Sequence, residues 1–368
     1  MTSATEAISV WVRQESQSQD AAGVNAMMDL VAAEVAGQAI STERIAGREG
    51  LGDHLVLRAG PQNGQAPVLV LSHLDTVHPK GTINGPLPLR VEGDKFYGPG
   101  LYDMKAGAWL ALQAFREALS EGLLTRPVTF IFTADEEIGS PTSRALIEAE
   151  AKGARAALIT EPARQGGRIV TARKGTASFE MEIEGRAAHA GVNHALGRSA
   201  LREAAHQVLT LEGMTDYEAG TTINVGQLKG GTVTNVVPQF ASLKIDGRVS
   251  SLAAGEDLVR RVLALTPRTP DTTLHIRGGM NRPPYEKTPE VAALFDLAKG
   301  LAAEIGFTLE DVPMTGGGSD GNFTAALGVP TLDGLGIDGD GAHTLQEHGL
   351  ISSIAPRQAL MKALLRSL

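Results

Sequence analysis

The 368-residue chain contains no cysteine. Disulfides, thiolate metal sites and a cysteine nucleophile are therefore excluded. Any bound metal must be held by nitrogen and oxygen, which suits zinc, manganese or cobalt. Aromatic residues make up only 4% of the chain, and the 33 basic residues are outnumbered by 42 acidic ones, for a net charge of −9. A nucleic-acid surface needs concentrated Lys and Arg and usually stacking rings, so nucleic acid is not an expected partner. No apolar run is long enough to span a bilayer, and no membrane partner is expected. The opening Met1-Thr2-Ser3-Ala4-Thr5-Glu6 has no basic stretch followed by an apolar one, so no signal peptide is read and a cytoplasmic location is expected. No internal repeat or low-complexity tract stands out. What is present is 42% hydrophobic residues, enough for a real core, in a length that suggests two or three domains.

Short apolar runs at 68–71, 128–132 and 156–159 read as buried strands. They alternate with helical patterns: Val24, Met27, Met28, Val31 and Val35 over 20–35, and Ala108, Ala111, Phe115 and Leu119 over 104–119. Strands alternating with helices predict an α/β domain with a mostly parallel, doubly wound sheet. After Gly175 the pattern changes. Residues 179–184 alternate strictly between apolar and charged, as in a sheet with one wet face. A helix at about 197–212, strands near 222–228 and 240–249, a helix at about 255–265 and a strand at 273–277 complete a β-α-β-β-α-β order, the split βαβ (ferredoxin-like) arrangement. The expected organisation is a first domain of 1–175 and 284–368, interrupted by an α+β insert of 176–283. The chain then runs through a glycine-rich loop to His343 and a terminal helix carrying Leu360, Leu364 and Leu365.

In such sheets ligands bind beyond the carboxyl ends of the strands. His73, Glu136-Glu137 and Glu161 all follow predicted strands there. His73 in Ser72-His73-Leu74-Asp75-Thr76 has Asp75 nearby as a carboxylate that could take its other N–H and fix its tautomer. Asp103 could bridge two cations with its two oxygens, or simply cap the helix expected from about 104. Glu136 and Glu137 repel one another unless something positive is near. Adjacent side chains point apart, so one can bind metal while the other takes a proton from attacking water. Acidic residues at a helix start offer a plainer account of the pair. His343 lies among glycines that leave room for backbone near a site, with His348 as its competitor. Together these residues supply a ligand set for two cations, as in a two-metal hydrolase.

One competing pattern is Gly317-Gly318-Ser319-Asp320-Gly321, a G-x-S-x-G run followed by Asp333 and His343 in the order of a serine-hydrolase triad. The preceding 311–315 makes a poor nucleophile strand because of Pro313. Too short a stretch separates Ser319 from His343, and the reading leaves the other ligand candidates unexplained. A non-catalytic metal-binding module would have no need of Glu136 beside Glu137.

The segments Ser72-His73-Leu74-Asp75-Thr76-Val77, Gly100-Leu101-Tyr102-Asp103-Met104-Lys105 and Asp135-Glu136-Glu137-Ile138-Gly139-Ser140 resemble those of the dinuclear zinc peptidases. That family includes glutamate carboxypeptidase, aminoacylase, acetylornithine deacetylase and succinyl-diaminopimelate desuccinylase. The resemblance covers nearly the whole chain, and the lid pattern and the last glycine-rich loop favour the glutamate carboxypeptidase branch. It implies two Zn2+ ions, with Co2+ or Mn2+ as possible substitutes. His73 and Glu161 would hold one, Glu137 and His343 the other, and Asp103 would bridge them. Glu136 would be the general base and Asp75 the partner of His73. A cis peptide would follow Asp103. The insert would be a lid and dimerisation domain, which implies a homodimer. His189 in Gly185-Arg186-Ala187-Ala188-His189-Ala190-Gly191 would donate to the oxyanion, often in the partner subunit's site. Asn235, Arg248, Arg282, Gly317 and Ser319 would bind substrate.

Two departures stand out. Gln17 replaces a usual proline, and Arg173-Lys174 replaces smaller residues, so Arg173 could reach the pocket and change side-chain preference. The expected activity is hydrolysis of an amide next to a free carboxylate, releasing a C-terminal amino acid such as glutamate from a small peptide. An N-acyl-amino-acid deacylase or dipeptidase with the same chemistry is the alternative.

Overall fold

The structure is a computed structural model that describes residues 3–368. In chain order its principal strands are β1 (Ser41–Ile45), β2 (His54–Ala59), β3 (Val68–His73), β4 (Val128–Thr133), β5 (Ala156–Ile159), β6 (Gly175–Glu184), β7 (Thr222–Gly230), β8 (Phe240–Val249), β9 (Thr273–Arg282) and β10 (Thr331–Leu332). The helices are α1 (Ala4–Arg13), α2 (Ala21–Val35), α3 (Ala106–Ser120), α4 (Arg144–Ala151), α5 (Ala200–Glu212), α6 (Leu252–Leu263), α7 (Pro289–Ile305), α8 (Gly321–Ala326) and α9 (Ile351–Ser367). The chain forms two compact units. One comprises Met1–Ala172, Lys287–Thr315 and Ser319–Leu368, the other Arg173–Glu286 and Gly316–Gly318. Set beside the 176–283 expected for the insert, the second unit starts and ends slightly outside it and takes in three glycines from a distant loop.

The first unit is built on a six-stranded sheet of order β1-β2-β4-β3-β5-β10. Strands β4, β3, β5 and β10 are parallel, while β1 and β2 add an antiparallel edge. The side chains of β3 show why its apolar run is continuous. Val68 and Val70 enter one core with Met27, Leu112, Phe115 and Leu364, and Leu69 and Leu71 enter another with Ile147, Ile159 and Phe323. A strand covered on both faces has no wet side to alternate toward. The doubly wound α/β architecture is thus present as expected.

The second unit is a four-stranded antiparallel sheet of order β7-β8-β6-β9. Phe179, Met181 and Ile183 of β6 pack against Ala204 and Leu211 of α5 and Leu258 and Val262 of α6. The alternate Glu180 and Glu182 turn outward to Arg277, which bonds both of them. The β-α-β-β-α-β order is complete within this unit. Among the described residues, no helix is long and apolar enough to cross a membrane.

Candidate active site

Parallel strands deliver the first ligand candidates side by side. His73 ends β3 opposite Thr133, the last residue of β4. On the other side β3 and β5 pair as far as Leu71 and Ile159. One residue on, the hydroxyls of Ser72 and Thr160 share a hydrogen bond of 2.6 Å. One residue further, His73 Nε2 lies 3.8 Å from Glu161 Oε1. The site therefore opens at the carboxyl ends of the strands, where α/β sheets bind their ligands. Gly107 lets α3 come close: a Cβ there would lie 2.3 Å from the Thr160 carbonyl oxygen.

Asp103 is not a helix cap. It sits in an irregular turn over Leu101–Lys105, and α3 begins at Ala106 with no side-chain cap. Its carboxylate instead reaches two imidazoles. Oδ1 is 3.2 Å from His73 Nε2, and Oδ2 is 3.3 Å from His343 Nε2. His343 Nε2 is in turn 3.0 Å from Glu137 Oε2. Two trios result, His73–Asp103–Glu161 and Asp103–Glu137–His343, each with its ligand atoms within 4.8 Å of one another. The Asp103–Met104 peptide is cis, and His343 has a φ of 64°, a left-handed conformation that His adopts more readily than most residues. His348 stays outside both trios. Its Nδ1 meets the Gln346 carbonyl at 2.8 Å and its ring packs on Tyr97.

Asp75 stands beside His73 and also serves the two glutamates. His73 Nδ1 lies 3.0 Å from the Asp75 carbonyl oxygen and 3.6 Å from its carboxylate. The main chain of Asp75 is therefore the closer partner of the imidazole. The carboxylate accepts the N–H groups of Glu136 (3.1 Å) and Glu137 (3.2 Å) and the Ser18 hydroxyl (2.7 Å). It fixes the backbone that aims the two glutamates. Asp135 does not join the ligands. It is buried and accepts bonds from Thr142 and Ser143.

Charge explains why this arrangement suits cations. Burial raises the Glu137 carboxyl to about 8, with the nearby Asp103 charge adding to the rise. Hydrogen bonds to Asp103 and Glu137 raise His343 to about 11. Burial works against charge on Asp103, but bonds from His343 and His73 hold its carboxyl well below the usual range. The carboxylates thus draw positive charge into a buried place. Glu137 Oε1 is buried without a hydrogen-bond donor, and a buried carboxylate oxygen is rarely left so. The Nε2–oxygen spacings of 3.0 to 3.3 Å approach the roughly 3.4 Å between neighbouring ligands around a tetrahedral ion with bonds of about 2.1 Å. The donor set fits two divalent cations. His73, Glu136, Glu161 and Asp320 line one small cavity beside it.

The sequence pattern of peptidase family M20/M25/M40 matches residues 69–367. The chain belongs to this family. It is 33% identical to carboxypeptidase G2 of Pseudomonas sp. (strain RS-16), covering 96% of this chain and 86% of that protein. It is 27% identical to succinyl-diaminopimelate desuccinylase of Cupriavidus taiwanensis, covering 85% of each. Its fold resembles the M20 family metallo-carboxypeptidase Sso-CP2 from Sulfolobus solfataricus, with a TM-score of 0.80 at 16% identity over 100% of this chain and 99% of that one. This M20 chain is therefore an enzyme of the metallopeptidase type.

The remaining candidate residues of the M20 chain are placed differently. In the second unit His189 lies on an exposed loop, its Nδ1 accepting the Gly191 N–H at 3.1 Å. The nearby Asn235 is also exposed, and its carbonyl accepts the Ala190 N–H. Arg248 is paired with Asp246 at 2.8 Å and reaches the Gly316 carbonyl at 3.4 Å. Arg173 is buried and donates to the Gly317 carbonyl at 3.0 Å. Arg282 is buried as well, and its Cδ would lie 2.8 Å from a Cβ at Gly318.

Ser319, in the first unit, departs from expectation. It is fully buried, donates to Asp333 at 2.6 Å and accepts the Gly321 N–H. Its hydroxyl is spent on packing the loop before α8, which removes it from both the substrate set and the triad reading. Sequence reasoning missed Ser18, Asp320 and Glu347. Asp320 accepts from Ser140 at 2.5 Å and Thr133 at 3.1 Å. Its one signal was an acid closing a glycine-rich loop. Ser18 and Glu347 gave none.

Proposed function

We propose that this enzyme hydrolyses an amide bond next to a free carboxylate in a small peptide and releases a C-terminal amino acid, with glutamate as the favoured product. The observation that carries the reading is the division of labour between adjacent glutamates. Glu137 turns to His343, while Glu136 lines the cavity shared with His73 and Glu161. His73 and Glu161 would hold one divalent cation, Glu137 and His343 the other, and Asp103 both. Zinc suits this nitrogen and oxygen set, and cobalt or manganese could substitute. Such a pair, when bound, supplies Lewis acidity toward the carbonyl and makes water a better nucleophile.

The protein's own groups do the rest. Glu136 takes the proton of the attacking water and returns it to the leaving nitrogen. His189 donates to the developing oxyanion, from its own chain or from a second copy in a dimer formed through the second unit. Arg282 and Arg248 grip the substrate carboxylates, for which the planar guanidinium is suited. Asn235 and Gly317 complete the binding set, and Arg173 tunes side-chain preference. The similarity to carboxypeptidase G2 supports this substrate class. Similarity to a desuccinylase favours a second reading, removal of an acyl group from an N-acyl amino acid.

Assays of γ- and α-linked glutamyl substrates against N-acyl and N-succinyl amino acids separate the two. Glu136→Gln should keep both cations by metal analysis and lose about 10²- to 10⁴-fold in kcat. Near-full turnover in that variant would remove Glu136 as the base.

A further inference from the structure

We propose that Glu347 is a positioning residue that holds the shared ligand Asp103 and joins it to the His343 loop, so that the Asp103–Glu137–His343 trio assembles as one unit. The inference rests on the reading that these residues hold cations. Glu347 is 1% exposed. Its Oε1 accepts the N–H groups of Tyr102 (2.9 Å) and Asp103 (3.1 Å). Its Oε2 accepts the Gly100 N–H (3.1 Å) and meets His78 Nε2 at 2.6 Å. With His78 in the tautomer that donates from Nε2, four donors converge on one carboxylate, which only an acidic side chain can accept in full.

These donors are not scattered. Tyr102 and Asp103 present consecutive N–H groups to one oxygen, which fixes the peptide plane just ahead of the Asp103 side chain. Gly100 is in the left-handed region (φ 67°), and a Cβ there would lie 2.3 Å from Thr76 Cγ2, so the loop has little freedom to reseat itself. The other end of the clamp leads to His343. Thr344 N–H bonds the Gly341 carbonyl at 3.0 Å and Glu347 N–H bonds the Thr344 carbonyl at 3.3 Å, making 341–347 a compact turn. Residues 348–350 then pair with 95–97, just ahead of the Asp103 loop. Asp103 is thus seated on the buried carboxylate of the residue that closes the His343 turn. Removing that carboxylate would orphan three backbone N–H groups beside a ligand, and groups that orient ligands govern metal affinity nearly as strongly as the ligands do.

The test is equilibrium binding of Co2+ to the metal-stripped full-length chain, alongside Glu347→Gln. The wild-type chain should take up two cations. In E347Q both cations should bind more weakly, because Asp103 serves both, and one should lose clearly more than the other, about 10- to 100-fold, because the His343 turn is loosened with it. Equal weakening of both, or no change in either, overturns the proposal. Should E347Q fail to fold by circular dichroism, His78→Leu decides. A loss at both positions that is clearly larger at one sustains the clamp, and equal losses or two wild-type affinities refute it. A wild-type chain that binds fewer than two cations overturns the functional reading itself, and is thereby distinguishable from a failure of the clamp alone.

Discussion

The Asp103 N–H is held by Glu347, 244 positions away in sequence, whereas Arg248 in the second unit is held by Asp246, two positions away, and His189 by Gly191, also two away. The same contrast runs through both sets. Asp75 anchors Glu136 and Glu137 across 61 and 62 positions, and Ser72 meets Thr160 across 88. Among the candidate substrate residues, His189 and Asn235 sit on exposed loops and Arg248 pairs with its near neighbour Asp246. Arg173, buried and bonded to Gly317 across 144 positions, follows the pattern of the ligands. Long-range ties fix where a ligand atom sits relative to another part of the fold, which a metal centre requires within a fraction of an ångström. Local ties keep a side chain ordered but leave its element free to move, which suits groups that must close on a substrate.

Cutting a long-range tie should therefore hurt chemistry most. In Asp75→Asn the side chain keeps its shape, but an amide replaces one of the oxygens that accept Glu136, Glu137 and Ser18. A buried donor left without an acceptor costs about 1–3 kcal/mol. Misaimed glutamates should lower kcat by about 10- to 100-fold. Steady-state kinetics with a parallel circular dichroism spectrum checks this. A variant with native structure and unchanged kcat would mean that local geometry alone aims the glutamates, and the contrast between the units would fail.

The same contrast marks what could be read in the sequence. The buried strands were legible because Val68 to Leu71 face cores on both sides, leaving an unbroken apolar run. The insert was legible because Glu180, Glu182 and Glu184 alternate with core residues. The first sheet's edge was not, because Ser41-Thr42-Glu43-Arg44-Ile45 is largely exposed and carries no periodic signal. The ligand residues could be named from strand ends and family resemblance. The groups that hold them could not, since Glu347 and Asp320 act through backbone or hydroxyl contacts that sequence spacing does not encode. Ser319 misled for a related reason: a glycine-flanked serine looks the same whether its hydroxyl is offered to a substrate or buried on Asp333.

An effect of similar size, but of another kind, is expected from the second unit. Arg282→Ala should raise KM and spare kcat and metal content, because a contact made equally with substrate and transition state changes binding alone. A charge-assisted bond is worth about 1.5–3 kcal/mol, roughly 10- to 100-fold in KM. The comparison sharpens with a substrate whose free carboxylate is capped as an amide, on which wild type and variant should converge. Loss of kcat and cations together would instead assign Arg282 to the fold.

The smallest effect on turnover, and a test of whether long-range carboxylate ties always mean chemistry, comes from Glu203 on α5. It is fully buried and accepts the N–H groups of Arg268 and Thr269, 65 and 66 positions away, and the Gln207 side chain. Burial alone would raise its pKa, yet these donors hold it below the ordinary glutamate value. A carboxyl with a depressed folded pKa adds stability that is present above its unfolded pKa, about 4.3, and is lost as pH falls through the folded value. Glu203→Gln should cost about 1–3 kcal/mol at neutral pH, and the gap in melting temperature from wild type should narrow as the pH is lowered past 4.3. The turnover of the folded fraction should not change. Melts of both proteins across that range decide it. A gap that stays constant with pH would show that the Glu203 charge contributes nothing. A loss of kcat at neutral pH would show that this distant tie reaches the chemistry after all.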